Sequence, residues 1–122
     1  MKDTPFTTKD RLLEIIECIE LLTNWSSAIN KPIDFLLTPQ NVMAFNACVM
    51  RLQVIGEHVG RLLKDSPELL ESHDEIPWLA IYDMRNIISH EYSNIDEDIV
   101  FSTIKEDLPQ LKSVVQKMLN NA

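Results

Sequence analysis

Apolar residues recur at three- and four-residue steps along most of the chain, which is the spacing of one face of an α-helix. The longest series lies in the middle of the chain and comprises Val42, Phe45, Val49, Leu52, Gly56, Val59 and Leu63. Its regularity over three heptads predicts a long helix that packs lengthwise against another. Gly56 lowers helix propensity by about 1 kcal/mol, so we expect a neighbouring helix to approach the backbone closely there.

Two other apolar series predict helices before and after the central one. The first helix begins near Thr7 or Thr8, where Thr7 and Asp10 are spaced to form a capping box. Its predicted apolar face comprises Leu12, Ile15, Ile16, Ile19, Leu22 and Trp25. A later helix begins at Pro77, and its apolar stripe comprises Trp78, Ile81, Met84 and Ile88.

The last apolar series predicts a helix that Asp96 caps. Its face comprises Val100, Ile104, Leu108, Leu111, Val115 and Met118. Pro109 falls inside this series, so it must kink or split the helix, because it removes one backbone hydrogen bond and clashes with the preceding turn.

Cap residues followed by proline mark two more helix starts. Thr38-Pro39 precedes the long central helix, and Ser66-Pro67 starts a short helical turn through Leu70. Four main helices with short connections favour an all-α, up-and-down bundle whose last helix is kinked or split. We expect residues 1–122 to form a single domain.

Composition adds cellular context to this fold. An apolar fraction of 45% and a charged fraction of 25% are ordinary for a soluble globular protein. No apolar run is long enough for a membrane span, and the start lacks the apolar core of a signal peptide, so we expect a cytoplasmic protein with no membrane contact. Cys18 and Cys48 lie in apolar helical patterns, which favours buried free thiols over a disulfide.

The net charge of −8 argues against a protein that holds nucleic acid by overall charge alone. A nucleic-acid role therefore requires a local patch, a partner's charge or transient contact. A small basic strip on the central helix, with Arg51, His58, Arg61 and Lys64, is one candidate for guiding RNA. His58 is otherwise expected to be solvated or to lie at an interface.

Arg85 lies inside the apolar stripe of the Pro77 helix, between Trp78, Ile81 and Ile88. A guanidinium is seldom fully buried without a partner. Two interpretations stay open. Either Arg85 pairs with an acidic residue such as Glu57 or Glu91, or the stripe is a surface where a second chain or a phosphate binds.

Arg85 and His90 suit phosphoryl chemistry. An arginine holds a phosphate and stabilises the charge of the transition state, while a histidine can accept and return a proton near neutral pH. On one straight helix the two residues would point about 140° apart. Either the helix ends or bends near Ser89, or two copies of the chain meet about a two-fold axis. No metal-ligand spacing and no cofactor-binding motif occurs, so neither metal nor cofactor is expected.

The sequence resembles the HepT-like toxins of the HEPN superfamily over most of its length. The similarity lies in four segments: Ile55-Gly56-Glu57, Ile76-Pro77-Trp78, the block from Met84 to Tyr92, and Asp107-Leu108-Pro109 with Leu111. The Arg85-to-Tyr92 block is the most specific of them.

The resemblance implies an RNA-cleaving toxin of a toxin-antitoxin pair. In such a protein two chains form a homodimer with one composite, metal-independent cleft, in which Arg85 and His90 are the catalytic pair and Asn86 and Ser89 assist. The resemblance also implies a small nucleotidyltransferase antitoxin that transfers AMP to Tyr92. An alternative is a non-catalytic helical partner that binds a nucleotidyltransferase, and a weaker one is a nucleotide-binding regulatory domain.

Overall fold

The described chain consists of helices and turns only. This is a computed structural model, which describes residues 6–90 and 95–121 without the side chains of residues 85–90. The helices are α1 (Thr8–Trp25), α2 (Pro39–Asp65), α3 (Pro67–Glu71), α4 (Trp78–His90), α5 (Glu97–Ser102) and α6 (Leu108–Asn120). A 3₁₀ helix spans Pro32–Leu36, and a π-helical turn spans Thr103–Asp107. These ranges contain no strand, and the predicted all-α class is confirmed.

The helices begin where the cap residues predict. At the start of α1, Thr7 Oγ1 accepts a hydrogen bond from the Asp10 N–H at 3.0 Å, and the Asp10 carboxylate accepts one from the Thr7 N–H at 3.0 Å. Thr38 caps α2 through the N–H of Asn41, and Asp96 caps α5. Each cap joins residues two or three positions apart, which is why the sequence alone locates it.

The predicted split of the last helix is also confirmed. The π-helical turn interrupts it between α5 and α6, and Pro109 follows within the first turn of α6. A proline has no N–H to donate, and the first turn of a helix is the position where no intrahelical donor is needed. The apolar face nevertheless continues across the break, since Val100, Leu108 and Met118 are all buried.

The core lies where α1, α2, α4 and α6 meet. The central helix α2 packs lengthwise against α1 on one side and α4 on the other, and α6 covers α1. Two predicted face positions are wrong: Trp25 is 36% exposed and Val42 is 38% exposed. Trp25 is the last residue of α1, and its ring lies 6.0 Å from the guanidinium carbon of Arg51 instead of in the core.

Candidate active site on the fourth helix

The start of α4 is anchored by a tryptophan. The indole N–H of Trp78 donates to the backbone carbonyl oxygens of Leu70 and His73 at 3.1 Å and 3.0 Å. Trp78 is 7% exposed, so the predicted core anchor is confirmed. These bonds tie α4 to the end of α3 and to the loop that follows it, which sets where the rest of α4 lies.

Tyr82 lies directly on Gly60 of α2. A Cβ atom at position 60 would lie 2.6 Å from Cδ1 of the Tyr82 ring, closer than carbon atoms approach in proteins. Glycine is therefore required for this contact. A close helix approach is thus observed one helical turn after Gly56, and the sequence signal for it is a second glycine four residues along the same face. The close approach predicted at Gly56 itself stays a prediction.

The direction of α4 follows from its two ends. Near its start, Tyr82 lies on Gly60, close to the end of α2. Beyond its end, Ile95 lines a cavity together with α2 residues from Asn46 to Gln53. The two helices are therefore antiparallel, and the motif residues of α4 lie opposite the middle of α2.

Four of the predicted site residues lie in the last two turns of α4. Arg85, Asn86, Ser89 and His90 all belong to the helix Trp78–His90. Ile81 is buried and Met84 partly buried, so the stripe that contains Arg85 begins on the core-facing side of α4. The side chains of these four residues lie outside the described part, and so does Tyr92. Their assigned roles therefore stay predictions.

Of the two positions predicted for His58, solvated or at an interface, the solvated one is wrong. Its side chain is buried between α1 and α2, at 6% exposure. Nδ1 lies 3.2 Å from the Arg11 guanidinium and Nε2 lies 3.3 Å from the Glu14 carboxylate, while the ring of Phe6 packs edge-on at 5.6 Å. His58 is thus the centre of a contact between two helices, which α2 alone cannot reveal.

These contacts define the protonation state of His58. The Arg11 guanidinium can only donate, so Nδ1 must accept, and the proton resides on Nε2, which donates to Glu14. Burial lowers the pKa of His58 below its ordinary value and outweighs the opposing effect of the Glu14 carboxylate. A second proton, on Nδ1, would face the cationic Arg11.

The rest of the basic strip divides between two faces of α2. Arg51 is half-buried on the α1 side, where its guanidinium donates to the sulfur of Cys18 at 3.8 Å. Arg61 and Lys64 are exposed on the α4 side, next to Tyr82. The burial of His58 removes the basis for its contact with RNA, whereas the RNA-guiding roles of Arg51 and Arg61 stay predictions.

Neither cysteine is a candidate nucleophile. Both are buried free thiols, as predicted. Burial raises the pKa of Cys48 to about 11, and it also raises the pKa of Cys18 despite the nearby Arg51 guanidinium. A protonated thiol is a poor nucleophile, so chemistry at neutral pH must use other groups.

The described part of the chain contains neither a metal-binding cluster nor a membrane-spanning helix. Across residues 6–84 and 95–121, no group of histidine, cysteine and carboxylate side chains is arranged to hold a metal ion. Within the described helices, none is both long and apolar enough to cross a membrane.

Comparison with known proteins identifies a family whose model matches most of the chain, including α4. The family described as "Ribonuclease HepT-like" matches residues 12–118, a range that contains all of α4 and the motif. The chain belongs to the HepT-like ribonuclease family. It is 34% identical to "Probable ribonuclease HepT" of Thermococcus cleftensis over 110 residues, which cover 90% of this chain and 94% of the relative.

A second relative is also named as an RNase. A protein of Caldanaerobacter subterraneus subsp. tengcongensis named "Putative RNase" is 36% identical over 86 residues, which cover 70% of this chain and 71% of that protein. No solved structure matches the chain. As a HepT-like protein the chain is a ribonuclease, and its α4 motif is the candidate active site.

Proposed function

We propose that this HepT-like ribonuclease is the toxin of a toxin-antitoxin pair, that it cleaves RNA as a homodimer without a metal ion, and that a nucleotidyltransferase neutralises it by transferring AMP to Tyr92. The main support is the family match across residues 12–118, which includes Arg85 and His90 within one helix. An arginine and a histidine suffice for RNA cleavage because the substrate supplies its own nucleophile, the ribose 2′-hydroxyl.

Helix geometry supports a composite cleft. The assigned helix continues through His90, so five helical steps separate Arg85 from His90 and turn their side-chain directions about 140° apart. A bend near Ser89 is not needed if each active site takes its arginine from one chain and its histidine from the other. When two α4 helices face each other across a two-fold axis, the arginine of one chain can meet the histidine of the other at one phosphodiester.

The reaction we propose is an internal transesterification. His90 takes the proton from the 2′-hydroxyl, and the oxygen attacks the neighbouring phosphorus. The bond from phosphorus to the 5′-oxygen breaks, the 5′-oxygen receives a proton from an imidazolium, and a 2′,3′-cyclic phosphate remains. Arg85 stabilises the charge that builds up on the phosphoryl oxygens. Asn86 and Ser89, placed between them on α4, assist in positioning the substrate.

The acidic character of the chain suggests short contact with RNA. A net charge of −8 opposes strong binding, since each contact with a phosphate must be made locally. We therefore expect weak affinity and few substrates. Added AMP on Tyr92 would place a further phosphate beside Arg85, where it would repel RNA and occupy the guanidinium.

Mixed dimers test the composite cleft. Arg85→Ala and His90→Ala chains are each expected to be inactive. After unfolding and refolding together, half of the dimers should contain one chain of each kind, and one of their two Arg-His pairs is intact. We therefore expect about a quarter of the parent activity to return. Mixed dimers that form but stay inactive would exclude pairing between chains.

Expression in cells tests the toxin role, and purified protein tests the chemistry. Growth arrest should disappear in both alanine variants while they remain folded dimers. The purified parent should cut RNA in EDTA and leave cyclic phosphate ends. Cleavage that needs added metal would contradict the mechanism. A protein that binds the nucleotidyltransferase and accepts AMP at Tyr92 but cuts no RNA would instead be the non-catalytic partner.

A further inference from the structure

A polar pocket lies between α2 and α4, one helical turn before the motif arginine. Its walls are formed by Glu57, Gly60, Arg61, Lys64 and Tyr82, and its volume is about 270 Å³. The pocket is therefore large enough for part of a nucleotide.

The missing side chain of Gly60 gives the pocket its shape. The Tyr82 ring rests on the glycine backbone, so the ring forms one wall and the exposed end of α2 forms the other. Because Tyr82 and Arg85 are three residues apart on one helix, the pocket and the motif lie on neighbouring turns, about 4.5 Å apart along the axis of α4.

The pocket contains two cations that lack carboxylate partners in the described part of the chain. Arg61 and Lys64 are exposed and form no ion pair with a described acidic residue, whereas Lys112 on α6 lies 3.7 Å from Glu20. Together with Glu57 they give the pocket a formal charge of +1 in a chain of charge −8. A local excess of positive charge is what an acidic RNA-binding protein needs.

We infer that this pocket binds a backbone phosphate of the RNA substrate next to the phosphodiester that is cut, an inference that depends on the proposed ribonuclease function. Arg61 provides a planar fork for two phosphate oxygens, and Lys64 adds a second charge. The Glu57 carboxylate only accepts hydrogen bonds, so the ribose hydroxyls lie on its side of the pocket and the phosphate on the other. The pocket thus sets the direction of the strand across α4.

Binding to single-stranded RNA, measured over a series of salt concentrations, tests this inference. The His90→Ala chain serves as the background, so that the labelled RNA stays intact during the measurement. Adding Arg61→Gln and Lys64→Gln should weaken binding at least about tenfold at low salt and reduce the slope of log affinity against log salt by about 0.7, the value for one lost phosphate contact.

The matched control is Lys31→Gln with Lys117→Gln. It removes the same formal charge, but neither lysine lines the pocket, so its salt slope should equal that of the background. In the active chain, Arg61→Gln with Lys64→Gln should raise KM about tenfold and leave kcat within about twofold. Circular dichroism and thermal unfolding verify that both double variants fold.

Two results would overturn the inference. One is an affinity and a salt slope that match those of the lysine control. The other is unchanged RNA binding together with a weaker complex with the nucleotidyltransferase, which would make the pocket a protein contact. A failure of the proposed ribonuclease function can be distinguished from a failure of this inference, because RNA binding can still be measured for a parent chain that does not cut RNA.

Discussion

The contact between Gly60 and Tyr82 leads to a prediction that links packing to catalysis. Gly60→Ala would place a Cβ atom 2.6 Å from Cδ1 of the Tyr82 ring, whereas ordinary contacts begin at 3.4 Å. The ring, or α4 with it, must therefore move away by about 0.8 Å or more. Because Arg85 follows Tyr82 by three residues on the same helix, a movement of α4 also displaces the motif.

Two opposing effects determine the size of the stability change. Excess volume in a packed site lowers the free energy of unfolding by about 1–3 kcal/mol. Alanine in place of glycine within a helix raises it by about 1 kcal/mol. We expect a net loss of about 1 kcal/mol, which lowers Tm by about 4 °C for a chain of this size. The effect on cleavage should be larger. A displacement near 1 Å can cost about 100-fold in rate, so we expect kcat to fall at least about tenfold.

Urea unfolding gives the free energy of unfolding, and cleavage of a labelled RNA gives the rate. A double-mutant cycle with Tyr82→Leu isolates the contact. Since leucine has no ring above position 60, the crowding cost disappears in that background, and the Gly60→Ala change should cost about 2 kcal/mol less there. A Gly60→Ala chain that gains about 1 kcal/mol and keeps its full cleavage rate would refute the reasoning, since helix propensity alone would then explain the change.

Two further predictions concern stability. Burial lowers the pKa of His58 in the folded chain, so the unfolded chain binds the proton more readily. The contribution of His58 to the free energy of unfolding should therefore be fully present above about pH 6.5. It should fall as the pH drops through the pKa of His58 in the folded chain. Urea midpoints should show this slope in the parent and in His73→Gln, and a slope that persists in His58→Gln would contradict it. Trp78→Phe removes the indole N–H that donates to two backbone carbonyls and should cost about 1–2 kcal/mol in urea unfolding. Trp25→Phe keeps an aromatic ring beside Arg51 at a residue that is 36% exposed, so it should stay within about 0.5 kcal/mol; equal losses would refute the anchor role of Trp78.

Local rules were enough to predict the helices and to locate the motif. The Thr7–Asp10 capping box and the Asp96 cap join residues close in sequence, and Pro109 disrupts a helix whatever surrounds it. The buried face from Val100 to Met118 follows from its spacing alone. The Arg85-to-Tyr92 block was likewise recognisable in sequence, because its residue types and their spacing carry the family resemblance.

Contacts between helices were decided only by the tertiary structure. His58 looked solvated from α2 alone, yet Arg11 and Glu14 of α1 surround it. The close approach at Gly60 depends on the register of α4, which places the Tyr82 ring there. A periodic pattern shows which face of a helix is buried, but the residue opposite each position depends on how two helices slide and cross. That freedom has no signature within a single helix.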